Sequence, residues 1–128
     1  MSITFNQAFG GGGASATGGW TQVYTSSASV TFSEAGTVCL SVIGAGGGGA
    51  ANTGGTGAAS GGNSGPWGRK KFAVAASDVL VVTLGAGGAK ATGISLPGSQ
   101  GGTTTVTLNA VTILTVEGGE GGVYVAGA

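Results

Sequence analysis

The chain has 128 residues, 31 of them glycine, and four cations that balance four carboxylates to a net charge of zero. With no histidine and Cys39 as the one cysteine, an intrachain disulfide is impossible, and neither a zinc site nor a histidine-activated nucleophile has the residues it needs. Neutrality gives no electrostatic footprint for nucleic acid, and no run of about 20 apolar residues offers a membrane span.

The first residues, Met1-Ser-Ile-Thr-Phe-Asn-Gln7, lack the basic and apolar regions of a secretory signal. Gly10–Gly13 and Gly18-Gly19, around Ala14–Thr17, read as a flexible arm. Beyond it the apolar spacing is two, with β-branched residues enriched, and no segment carries a helical period. Strands are expected over 20–25, 28–33 and 37–43. In the second, Ala28, Val30 and Phe32 face one side; in the third, Val38, Leu40 and Val42 form the inward set. Residues 69–75 and 79–84 flank a turn at Ser77-Asp78. The second of that pair, Val-Leu-Val-Val-Thr-Leu, is apolar on both faces and reads as a central strand. Residues 103–108 and 111–116 flank Asn109-Ala110, a two-residue hairpin loop, since asparagine tolerates positive φ.

Glycine makes up about a quarter of the chain against a usual share of roughly 7%. Disorder ordinarily also needs low hydrophobicity and high net charge, and this chain has neither. The alternative is main chain packed on main chain so closely that a Cβ does not fit. Gly44, Gly46, Gly47, Gly48 and Gly49 follow one strand; Gly85, Gly87 and Gly88 another; Gly118, Gly119, Gly121 and Gly122 the last hairpin. Three such stretches leaving three strand ends point to one shared layer of polyproline-II-like, three-residue-per-turn segments. The expected fold is all-β, a small β-sandwich-like domain with a packed polyglycine-II-like layer. An N-terminal arm and first strand over 1–27, serving attachment and assembly, precede a glycine-rich β domain over 28–128.

Two motifs resemble cofactor loops and fail on context. Gly44-Ala-Gly-Gly-Gly-Gly49 fits Gly-x-Gly-x-x-Gly, but the residues after it cannot sustain a helix and the next acidic residue is Asp78. Gly85-Ala-Gly-Gly-Ala-Lys90 lacks phosphate-loop spacing. Glu117 and Glu120 read as solvated loop charges rather than a sugar-cleaving pair, and Cys39 as a small packing residue. No cofactor, metal or catalytic residue is expected, and the chain is not expected to be an enzyme.

Trp67-Gly-Arg-Lys-Lys71 is the most functional-looking local feature. Trp67 beside Arg69, Lys70 and Lys71 could stack on a sugar or grip an acidic polymer; alternatively Trp67 closes the glycine layer while the lysines keep an edge strand soluble. Trp20 and Tyr24 share one face of a strand, as an aromatic platform or as core or interface packing. With 6% charged residues and no net charge, the chain is expected to associate into a homo-oligomer.

Val30-Thr-Phe-Ser-Glu-Ala-Gly-Thr-Val38, Val42-Ile-Gly-Ala-Gly-Gly-Gly-Gly49, Val79-Leu-Val-Val-Thr-Leu-Gly-Ala-Gly-Gly88, Gly101-Gly-Thr-Thr-Thr-Val106 and Val116-Glu-Gly-Gly-Glu-Gly-Gly122 together resemble the glycine-rich domain recurrent in bacteriophage tail fibres and other virion proteins. The resemblance covers 28–122. It implies a non-enzymatic, commonly trimeric module assembled in the host cytoplasm and displayed on a virion surface. Its partners would be copies of itself, other virion proteins and a host glycan or outer-membrane protein, without nucleic acid or membrane insertion. Contact would fall to the loops over 50–66 and 89–101. The chain has no shaft repeat, so a capsid-decorating protein remains an alternative, and a carbohydrate-binding module is another.

Overall fold

A computed structural model describes residues 3–8, 19–52, 54 and 56–127, with the backbone alone described at 3–8 and 19–21. The proposed arm at Gly10–Gly13 and Ala14–Thr17 lies outside the described residues. The chain forms two compact units, one of residues 1–43, 67–83 and 105–115, the other of 44–66, 84–104 and 116–128. Among the described residues there is no helix.

The first unit carries two four-stranded sheets. Strands β1 (Ile3–Ala8), β2 (Gly19–Tyr24), β4 (Gly36–Ile43) and β6 (Trp67–Val74) lie in the order β2-β1-β4-β6. Strands β3 (Ala28–Thr31), β7 (Val79–Thr83), β8 (Thr104–Leu108) and β9 (Val111–Val116) lie in the order β3-β7-β8-β9. Every pairing whose register is resolved is antiparallel. Alternation does the sorting: Val38, Leu40 and Val42 of β4 are fully buried, as are Leu80 and Val106, while the residues between them face outward. Phe32, Val74 and Val82 complete the buried set. The expected inward set of β4 is therefore the core of the first sheet, and β7 occupies the central position its apolar run predicts. The second face of β7 is more open than that run suggests, since Val81 is exposed.

The Ser77-Asp78 and Asn109-Ala110 turns form where they are expected, with Ser77 at a φ of 71°. Asn109 and Ala110 both take positive φ, 49° and 65°, the conformation of a tight two-residue hairpin. Asn109 also ties two turns together. Its Oδ1 accepts from the Val79 N–H at 2.9 Å, and its Nδ2 donates to Asp78 Oδ1 at 2.8 Å. Asp78 Oδ2 in turn accepts the Ala75 N–H at 2.8 Å.

Strand β1 was not expected. It has no flanking turn residue that separates it from the glycines behind it, yet it lies between β2 and β4, with Phe5 opposite both Gln22 and Leu40. The short pair β5 (Ala58–Ala59) and β10 (Tyr124–Val125) in the second unit was also unforeseen, for two residues carry no period.

Candidate functional site

The second unit is built from extended segments rather than from a sheet. Segment 44–51 donates from Gly44 to the Pro66 carbonyl, from Gly47 to Asn63 and from Ala50 to Ser60, at 2.7, 2.8 and 3.0 Å. From Gly48 and Ala51 it donates to Ser99 and Leu96. Its carbonyls at Gly46 and Gly49 accept from Gly88 and Ala91, and those at Ala45 and Gly48 accept from Gly119 and Gly122. Each set of bonds recurs every third residue. That period belongs to a three-fold extended helix, whose N–H and C=O groups leave the axis in three directions toward different neighbours. A strand, with period two, would reach two neighbours only.

Three-fold segments can approach this closely only without side chains. A Cβ at Gly47 would overlap the Glu120 carbonyl, one at Gly48 the Ala89 carbonyl, and one at Gly44 the Glu117 carbonyl. Gly85, Gly88, Gly118, Gly119, Gly121 and Gly122 are held in the same way, each against main chain of another segment. Gly46, Gly49 and Gly87 differ. A Cβ on them meets nothing nearer than 3.7, 3.9 and 4.0 Å. The expected layer thus contains nine glycines that its packing requires and three at which a Cβ would make only ordinary van der Waals contact.

Two further segments belong to it, 57–66 and 96–102, each running back against its neighbours. Gly62 and Gly65 abut Gly47 and Gly44, and Gly98 and Gly101 abut Gly48 and Ala45. Glycines spaced by three, at 62 and 65, 98 and 101, 85 and 88, 118 and 121, are the signal in the sequence that locates these segments. Much of the expected contact loops, 50–66 and 89–101, is therefore committed to the layer. Thr104 also takes part unexpectedly: fully buried, it accepts the Gly85 N–H on its Oγ1 at 3.0 Å.

The side chains singled out as contacts fall on different faces of the first sheet. The β4–β6 register sets Ile43 opposite Trp67, Ser41 opposite Arg69 and Cys39 opposite Lys71. Trp67, Arg69 and Lys71 therefore share the outward face, where Trp67 is 70% exposed and Ile43 47%. Val23 joins them, in the row Val23, Thr4, Ser41, Arg69. Lys70 takes the opposite phase with Leu40 and donates from Nζ to the Ile113 carbonyl of β9 at 2.8 Å. Tyr24 shares the row of Ile3 and the buried Val42. Trp20 is in register with Gln7 and Val38, and its side chain lies outside the described residues. Among the described residues, no cluster of three or more metal-ligating side chains occurs.

An all-β chain whose second unit is a glycine bundle with three-residue hydrogen-bond spacing is a glycine-rich β domain. The chain belongs to the glycine-rich domain family, which matches residues 22–128. Neither curated proteins nor solved structures offer a significant match.

Proposed function

We propose that this protein is a non-enzymatic structural protein of a bacteriophage particle, an exposed adhesion module of the tail-fibre or tail-tip type that works as a homo-oligomer, with a trimer the expected form. The observation that carries the reading is the glycine bundle. Five segments are joined by main-chain hydrogen bonds at every third residue, and the space between them holds few side chains. Such a bundle supplies rigidity and no reactive groups, as a displayed particle component needs. Family membership supports a glycine-rich module and no more, while the strand-then-glycine order of the resembling segments supports the particle assignment.

Imaging of intact particles with labelled protein tests it. Label in a few copies at the tail is the expected result. Label in many copies over the head would replace adhesion by capsid decoration, and particles without label would end the virion reading. Light scattering at micromolar concentration tests the assembly separately: a stable folded monomer would overturn the homo-oligomer.

A further inference from the structure

The outward face of the first sheet carries an arrangement that the glycine bundle does not use. Strand alternation puts Trp67, Arg69 and Lys71 in one line along β6, spanning about 13 Å at roughly 3.3 Å per residue. This strand is an edge of its sheet, and Trp67, Arg69 and Lys71 are all exposed. Among the described residues, Arg69 and Lys71 form no hydrogen bond or ion pair, unlike Lys70 behind them. None of β1, β2, β4 and β6 contains an aspartate or glutamate. Glu34 stands before β4, beyond the Gly36–Val74 end of the pairing, and Trp67 is at the other end. Asp78 is occupied by Ala75 and Asn109. The four strands therefore bring cationic charge to this face and no acidic residue of their own, beside an indole that is 70% exposed.

We infer that this face binds an acidic glycan whose charges are carboxylates, laid along β6 with a sugar ring on Trp67 and its carboxylates on Arg69 and Lys71. An indole face stacks on the C–H face of a pyranose, and Ile43 directly across widens that platform. The Arg69 guanidinium matches a carboxylate with two parallel N–H donors, and Ser41 opposite it offers a hydroxyl. A nucleic acid fits less well, because tight phosphate binding draws on some 6–10 cationic contacts and this face has two. A bilayer fits less well too, since surface insertion needs a continuous apolar face, and here the half-buried Thr37, Cys39 and Ser41 and the charged Arg69 and Lys71 interrupt it. The inference rests on the adhesion reading and names its ligand class, but its test does not need the particle.

The full chain is titrated by calorimetry with oligo-uronate, with polysialic acid, with neutral dextran and with phosphatidylglycerol vesicles. Binding of an acidic glycan that weakens with added salt, without binding of dextran or vesicles, is expected. Trp67→Ala and Arg69→Gln should each weaken it about tenfold, and Lys71→Gln severalfold, with the urea midpoint unchanged. Lys70→Gln, of equal charge change, should leave it within twofold. No glycan binding at millimolar concentration, an equal loss in Lys70→Gln, or preference for vesicles would each overturn the inference. Particle imaging that fails while the glycan binds removes the virion reading alone; label at the tail with no glycan bound removes this inference alone.

Discussion

A single methyl group separates two kinds of glycine in this chain. At Gly48 a Cβ would enter the Ala89 carbonyl, and neither segment can yield without breaking bonds to a third. Gly48→Ala should therefore lower stability by at least about 3 kcal/mol, the upper end of ordinary overpacking. Gly87 has room for a Cβ and no positive φ, so Gly87→Ala should raise stability by about 0.4–1 kcal/mol by narrowing the unfolded ensemble. Urea midpoints of the two variants check both. Asp78 acts through charge. The Ala75 N–H, and after it Asn109 Nδ2, hold its pKa below the ordinary 3.8. Because the folded value is the lower one, its contribution is complete above pH 3.8 and is lost as pH falls further. Asp78→Asn should lower the midpoint at neutral pH and flatten the acid limb below 3.8, measured by urea titration across pH.

The segments of the glycine unit show why hydrogen-bond direction matters as much as sterics. Gly44, Gly47 and Ala50 bond to one neighbour, Gly48 and Ala51 to another, and the third direction is open at Gly46. Amide exchange should follow that arithmetic. The N–H groups of Gly47 and Gly48 should be strongly protected, and that of Gly46, exposed and without a partner among the described residues, should exchange fast. Uniformly rapid exchange over 44–51 would mean that the segments are tethers and not a bundle. In the sheets, spacing by two divides Trp67, Arg69 and Lys71 from Lys70, which a reading of adjacent cations had grouped together.

The whole chain interleaves its units. It leaves the sheets after β4, β7 and β9 and re-enters them at β6 and β8, so neither unit can be cut out as one stretch. The last segment bonds to three others: Gly119 and Gly122 donate to Ala45 and Gly48, Gly98 and Gly101 donate to it, and so do Ser60 and Asn63. Truncation after Val116 removes these six bonds. At about 0.5–1.5 kcal/mol net apiece, the loss is roughly 3–9 kcal/mol, comparable with the ~5–15 kcal/mol that holds an ordinary domain folded. The truncated chain should lose its cooperative thermal transition, followed by circular dichroism; a transition at the original temperature would refute the bundle's role in stability.

Much of this architecture was legible in the residues. Period two in 28–43, the apolar run over 79–84, the Asn109-Ala110 turn and the glycine clusters behind strand ends are local signals, because side-chain direction and φ are set by each residue and its neighbours. What the residues alone left open is long-range. The insertion of β1 between β2 and β4, the return of 57–66 and 96–102 into the bundle, and the division of Arg69 and Lys71 from Lys70 depend on partners tens of residues away. No local preference names a partner. Closest of all to the limit are Gly46 and Gly48, two positions apart in one glycine run and opposite in environment, since only the placement of the neighbouring carbonyls tells which of them can carry a side chain.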